Sequence, residues 1–178
     1  VKAGGVSIVV TGTAFNVRLA DEAVEIGPAE ARQSYLSIER ILQAARKEFA
    51  HNGLGGARVD RIAESAGINK RMLYHYFGNK DALFCAVLEA NYAHKRDSER
   101  ALALEHDEPR EAIRKWVTLT WNYYIEHPEF LNLLNSANLH QARHVRASTE
   151  VKKMRSPFVK MMGAILDKGV RQGVFREG

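Results

Sequence analysis

Residues 57–80 read ARVDRIAESAGINKRMLYHYFGNK, and this stretch decides the fold that we expect for the chain. Apolar side chains at helical spacing, followed by Gly67, predict a helix that ends in a left-handed residue. Ile68 can fill the corner after that helix. Asn69 then offers a side-chain oxygen to the free amides of a second helix. The stretch therefore predicts two short helices joined by a sharp turn.

The second helix is expected to have two unlike faces. Its buried side should contain apolar residues: Met72, Leu73 and either Tyr76 or Phe77. Its outward side carries basic and aromatic residues: Lys70, Arg71, Tyr74 and His75. Cations can meet phosphates, while an aromatic ring and an imidazole can meet sugars or base edges. This outward side is what a helix needs in order to read DNA in the major groove.

The residues around this stretch resemble the DNA-binding domain of the TetR family of repressors. The likeness begins at Ile38 and runs without a gap to Leu83. Its most specific part is the pattern Leu-Tyr-x-x-Phe-x-x-Lys, whose fixed positions are all present: Leu73, Tyr74, Phe77 and Lys80. The resemblance implies an all-α, homodimeric, ligand-responsive transcription factor whose third helix reads double-stranded DNA.

The resemblance and the outward side chains together define the expected DNA-binding residues: Arg58, Asn69, Lys70, Arg71, Tyr74, His75, Tyr76 and Lys80. We expect the cations Lys70, Arg71 and Lys80 to contact phosphate or guanine, while Tyr74 and His75 position the helix and discriminate between bases.

The chain departs from the family pattern just before the first of the two short helices. Family members usually have Thr or Ser there, where a hydroxyl caps the helix and touches phosphate, but this chain has Ala57 and Arg58. Capping should therefore be weaker. Arg58 could restore the phosphate contact, although a cation at a helix start opposes the helix dipole.

Two other readings of this region stay open. The two helices could form an ordinary corner with a solvated basic face, or the chain could be an interaction or ligand-sequestering protein that does not bind DNA. An enzyme is disfavoured, because the sequence has no Gly-rich phosphate loop, no metal cluster and no Ser/His/Asp set at motif spacing. No cofactor is expected.

Composition points to a globular protein of the cytoplasm. The 178 residues are 46% hydrophobic, which is enough for a sizeable core. The single cysteine, Cys85, excludes an internal disulfide and fits a reducing compartment. No apolar run is long enough to span a membrane, so no membrane partner is expected.

The net charge of +5 is unevenly distributed. Residues 34–80 carry 8 basic and 4 acidic side chains, whereas residues 81–139 carry 6 basic and 10 acidic ones. The excess of positive charge therefore falls on the segment that should meet a polyanion.

Three domains are expected. Residues 1–33 form an unassigned extension that resembles no family we can identify and is either disordered or a marginal hairpin, since β-prone runs at residues 6–10 and 15–19 flank a polar stretch. Residues 34–80 form the helix-turn-helix head. Residues 81–178 form a helical ligand-binding and dimerisation bundle.

The bundle should begin with a helix capped by Asn79, continue with a helix from Pro109 to His127, and include another that follows Pro157. Its aromatic and methionine side chains are core candidates first and pocket candidates second. The expected ligand-pocket residues are Trp116, Trp121, Tyr124, Phe130, His140, Phe158, Met161 and Met162.

His140 and His144 lie one helical turn apart, but two imidazoles alone make at most half of a metal site, so no metal is expected. Residues 166–176 resemble the family's turn before its final helices. Because the sequence stops at Gly178, we expect that the last dimerisation helices of the family are missing from it.

Overall fold

The computed structural model describes residues 6–11, 14–19 and 28–176, with side-chain surroundings from Leu36 onward. Its elements in chain order are β1 (Val6–Thr11), β2 (Ala14–Leu19), α1 (Pro28–Gly56), α2 (Val59–Ala66), α3 (Lys70–Phe77), α4 (Lys80–Arg100), a 3-10 turn (Leu104–His106), α5 (Pro109–Glu126), α6 (Pro128–Leu139), α7 (Arg143–Ala147) and α8 (Thr149–Arg171). The all-α head and bundle are confirmed. No helix in these ranges is both long and apolar enough to cross a bilayer.

The two β-prone runs of the extension pair as an antiparallel hairpin. Val6 lies opposite Leu19, and Thr11 lies opposite Ala14. The other residues of the predicted extension before Pro28, at positions 1–5, 12–13 and 20–27, lie outside the described residues. Helix α1 begins at Pro28, whose fixed φ suits the first turn of a helix.

The predicted turn chemistry of the head is present. Gly67 has φ 63° and ends α2, and its N–H and that of Ile68 donate to the carbonyls of the last turn. The Oδ1 atom of Asn69 accepts a hydrogen bond from the N–H of Arg71 at 2.8 Å and so caps α3. A left-handed glycine followed at once by a cap turns the chain within three residues.

One expectation about α3 is wrong. Met72 was placed on the buried side, but 41% of it is exposed. The buried side is instead filled by Leu73 and Phe77, which lie four residues apart on one face, with Tyr76 half-buried beside them. Met72 lies about 100° further round the helix and so faces away from the core.

The core of the head continues into the bundle. The rings of Phe49 in α1 and Phe84 in α4 meet edge to face, with centroids 5.1 Å apart, and neither is exposed. Leu133 and Ala137 of α6 belong to the same cluster of buried side chains. The head and α6 therefore share one hydrophobic core.

A second, smaller core is formed by Leu104, Ala112 and Ile165. The helix that was expected to follow Pro157 begins earlier, at Thr149, and contains Pro157 in its interior. Ser148 makes this earlier start possible, because its hydroxyl accepts a hydrogen bond from the N–H of Val151 at 3.0 Å.

We predict that Ser136→Ala destabilises the junction of head and bundle. The N–H of Leu54 donates to the buried Ser136 hydroxyl at 2.9 Å, just after the helix break at Gly53 (φ 64°). Leaving that N–H without a partner should lower the free energy of unfolding by about 1–3 kcal/mol, measured by urea denaturation. Asn135→Ala, at an exposed position of the same helix, is the control and should change it little. Equal stabilities for the two variants would contradict the assignment.

Candidate DNA-binding surface and effector cavity

The outward side of α3 is open to solvent. Arg71, Tyr74 and His75 are all exposed, and 41% of Tyr74 is accessible. The cap at Asn69 fixes the start of the helix, so these side chains project from a rigid element. A cation, a phenol and an imidazole are thus presented together.

Lys70, at the start of α3, is paired within the head. Its Nζ lies 2.7 Å from Oδ1 of Asp60 in α2. The hydrogen bond that Lys70 donates to Asp60 raises the pKa of Lys70, which stays fully charged at neutral pH. Its charge is nevertheless partly offset before any DNA arrives.

The ammonium of Lys80, at the start of α4, contacts the last turn of α1 and the loop that precedes α2. It donates to the carbonyl oxygens of Ala57 at 3.1 Å and Gly55 at 3.4 Å. An ammonium has three N–H donors, so one remains for a phosphate. Lys80 therefore ties α4 to the loop as well as offering charge to a ligand.

The start of α2 is held by a residue that the motif did not point to. Arg58 makes no side-chain cap, as expected. Oε1 of Glu48 in α1 instead accepts a hydrogen bond from the N–H of Arg58 at 2.9 Å. A carboxylate near a helix start also suits the helix dipole. The exposed Arg58 side chain is left on the surface.

Helix α7 of the bundle is attached to the first turn of α4. Oδ1 of Asp81 lies 2.9 Å from Nε2 of His144 and 3.0 Å from Nη2 of Arg143. The hydrogen bond with His144 lowers the pKa of Asp81, and Arg143 acts in the same direction. Further along α4, Glu89 accepts a 2.6 Å hydrogen bond from the Ser148 hydroxyl. Polar contacts thus join the bundle to the helix that leaves the head.

A cavity of about 590 Å³ lies between the second half of α4, the 3-10 turn and α8. Its apolar lining is Met154, Pro157, Phe158, Met161, Ala164 and Ile165. Its charged lining is Arg96, Arg100, Lys168 and Arg171, with Glu105 and Asp107. The volume is in the range of small-molecule sites.

The expected pocket residues are distributed differently from the cavity. Phe158 and Met161 line it, and Trp116 and Met162 pack against the second core beside it. The remaining four lie elsewhere: Trp121 is 69% exposed, Phe130 is 1% exposed in the interior, Tyr124 stacks on Phe130, and His140 lies beside His144. No role was predicted from the sequence for the charged residues of α4 and α8 that line the cavity.

The two imidazoles do not form part of a larger ligand set. Their ring centroids are 6.3 Å apart, and His144 is engaged by Asp81. Within the described part of the chain, no group of three or more potential metal ligands occurs. Burial raises the pKa of the nearby Cys85 thiol to about 11, so it is protonated at neutral pH and packs as a small apolar group.

Comparison with known proteins decides the family. A model described as bacterial regulatory proteins, tetR family, matches residues 41–87, and one described as a tetracyclin repressor-like C-terminal domain matches residues 109–178. The HTH-type transcriptional repressor NicS of Pseudomonas putida is 38% identical over 147 residues, covering 83% of this chain and 69% of that protein. The chain belongs to the TetR family. This family consists of DNA-binding transcriptional regulators.

Other members give the same assignment. An HTH-type transcriptional repressor of Streptomyces coelicolor is 40% identical over 104 residues, and the match spans 58% of this chain and 50% of that repressor. The crystal structure of the TetR-family regulator PfmR from Thermus thermophilus superposes with a TM-score of 0.63 at 28% identity, over 78% of this chain and 75% of PfmR.

The extension has a resemblance that the motifs had not indicated. A model of the biotin carboxylase N-terminal domain matches residues 8–57 and overlaps the regulator match at residues 41–57. In the overlap, Ile41 and Phe49 are buried in the core of the head. The match covers less than a third of the chain and shows no activity for it.

We predict that acid weakens the contact of Asp81 with α7. Because the folded pKa of Asp81 is lowered, its stabilising effect is present above the ordinary value of 3.8 and is lost as the pH falls through the lowered value. The stability difference between wild type and Asp81→Asn should therefore shrink on acidification, as measured by urea denaturation at several pH values. Asp97→Asn, whose ion pair with Arg100 lies within α4, should follow the wild-type profile. Parallel curves for wild type and Asp81→Asn would contradict the prediction.

Proposed function

We propose that this protein is a repressor that binds a pseudo-palindromic operator as a homodimer in the cytoplasm, and that a small-molecule effector in the α4–α8 cavity releases it. The observation that carries the proposal is the exposed Arg71, Tyr74 and His75 surface on a capped helix. A helix that presents such side chains fits the major groove.

The contacts available to DNA differ between residues. Arg71 has no ion-pair partner among the described residues, so its fork of donors is free for guanine or two phosphate oxygens. Tyr74 and His75 are placed to discriminate between bases, while Lys70, Lys80 and Arg58 add phosphate contacts. The Asn69 cap directs the start of α3 towards the duplex, and the ring of half-buried Tyr76 meets the His75 ring edge to face, with centroids 5.6 Å apart.

The proposed release depends on α4. This helix carries Lys80 at its start, Asp81 and Glu89 on its first half, and Arg96 and Arg100 in the cavity wall. An effector that moves the second half of α4 relative to α8 would therefore displace the heads and change their separation on a two-fold operator.

A gel-shift assay on the promoter region beside the protein's own gene tests the proposal. Arg71→Ala combined with Tyr74→Ala should abolish the specific shift, because it removes both a guanidinium fork that binds guanine or phosphate and the aromatic contact. Arg114→Ala combined with Trp121→Ala also removes one arginine and one aromatic residue, but from exposed positions on α5, and should leave the shift intact. Equal binding by the two double variants would refute the proposed surface. Sedimentation of the free protein and of the complex tests the dimer.

We predict that salt dependence and stability, measured together, separate the roles of two cations. Arg71→Gln and Lys80→Gln should each lower the slope of log affinity against log salt by about 0.9, because each removes one phosphate contact. Lys80→Gln should also lower the midpoint of urea unfolding, since it frees the carbonyls of Gly55 and Ala57, whereas Arg71→Gln should not. Arg114→Gln is the matched control. An unchanged slope for Lys80→Gln would assign that lysine to the loop alone.

A further inference from the structure

A cluster of ionised side chains with more positive than negative charge lies behind one wall of the cavity. Glu99 is 1% exposed and accepts hydrogen bonds from Nζ of Lys95 at 2.5 Å, from Nη1 of Arg96, and from Nε1 of Trp116 at 3.4 Å. Lys95 is 5% exposed, and the Arg96 side chain is 14% exposed. Two cations thus share a single carboxylate in a largely buried position.

The cluster keeps a net positive charge at a site with low polarity. Burying such a charge is unfavourable unless nearby groups compensate for it. Part of the compensation for Lys95 comes from Tyr123 and Tyr124, whose ring centroids lie 5.8 and 5.5 Å from its Nζ. Arg96 is compensated on one face by the Phe158 ring, 4.3 Å from its Cζ.

Of these three ionised residues, Arg96 is the one that lines the cavity. Glu99 occupies only part of its guanidinium, which has five N–H donors. The unoccupied donors and the uncompensated charge of the cluster are therefore available at the cavity wall, next to an aromatic ring.

The other charged residues of the lining are also more often basic than acidic. Arg100, Lys168 and Arg171 outnumber Glu105 and Asp107, and Lys115, which is not in the lining, lies 2.9 Å from both carboxylate oxygens of Asp107. Arg100 and Lys168 have exposed partners in Asp97 and Glu108, where solvent weakens the pairing.

From this arrangement, and resting on the proposed function, we infer that the effector is a carboxylic acid with an apolar body. Its carboxylate is bound by the guanidinium of Arg96, which suits a planar, bidentate partner. Its apolar part lies along Met154, Phe158, Met161 and Ile165. Arg96 is then the residue that selects acids over neutral and cationic analogues of equal size.

Intrinsic fluorescence offers a direct test without DNA. The chain has two tryptophans, and Trp121→Phe leaves Trp116, which contacts Glu99 and lies 5.9 Å from the Phe158 ring. This single-tryptophan protein is titrated at neutral pH with decanoate, 1-decanol and decylamine, and with biphenyl-4-carboxylate and biphenyl-4-methanol. At least one acid should bind at least tenfold more tightly than its alcohol, and decylamine should bind most weakly.

The Arg96→Gln variant tests the role of the residue. It leaves Lys95 and Glu99 as a neutral pair, so the protein should fold, and its preference for acid over alcohol should fall below threefold while the alcohol affinity is retained. Arg114→Gln, outside the cavity, should keep the full preference. If Arg96→Gln does not fold, the inference is tested in the protein that keeps Arg96. That protein should prefer the acid over the alcohol, and added salt should reduce this preference.

Equal affinity for acid and alcohol, a preference for the amine, or no binding of any probe would overturn the inference. None of these outcomes touches the DNA-binding proposal, because the gel shift is measured without ligand. Conversely, a protein that binds decanoate tightly but gives no shift with its promoter region keeps the acid site and loses the proposed operator function.

Discussion

The packing of α1 against α4 and α6 is the constraint on which the rest of the structure depends. Helices α2 and α3 are eight residues each, too short to be stable alone in water, so their orientation must come from the core beneath them. Phe49 and Phe84 form the centre of that core, and burying each such ring stabilises the fold by roughly 1.5–3 kcal/mol. Leu133 and Ala137 close it from the bundle side. Helix α3 is therefore positioned by a core that includes α6.

This arrangement places the head and the cavity at opposite ends of α4. The first half of the helix belongs to the shared core and meets α7 through Asp81 and Glu89. The second half carries the ion cluster around Glu99 and the cavity wall. Because α4 is one continuous helix, it is the element through which the proposed release would act.

Local chemistry made much of the head predictable. The roles of Gly67 and Asn69 were predictable from the sequence, because a left-handed residue at a helix end and a helix N-cap each favour particular residue types. Met72 was misplaced because it directly precedes Leu73. In an eight-residue helix, the helical period alone does not decide which of two adjacent apolar residues is buried. Glu48 was missed because its hydrogen bond to Arg58 joins residues on different helices.

The cavity was harder to predict for a related reason. Aromatic residues are equally suited to a core and to a pocket, so Phe130 and Trp121 could not be assigned before packing was known. The signal that did mark the cavity, cations on facing turns of α4 and α8, depends on which helices are neighbours. A charge in a sequence reads as solvated until a partner helix covers it.

The ion pair between Lys70 and Asp60 has a consequence for how the protein searches a genome. Any duplex phosphate that meets the Lys70 ammonium also meets the Asp60 carboxylate, whose Oδ1 lies 2.7 Å from that ammonium, whatever the base sequence. The repulsion between Asp60 and phosphate acts equally at all sites, so it weakens binding to random DNA and leaves preference among sequences to side chains that reach the bases. The Asp60 carboxylate thus reduces non-specific binding to DNA.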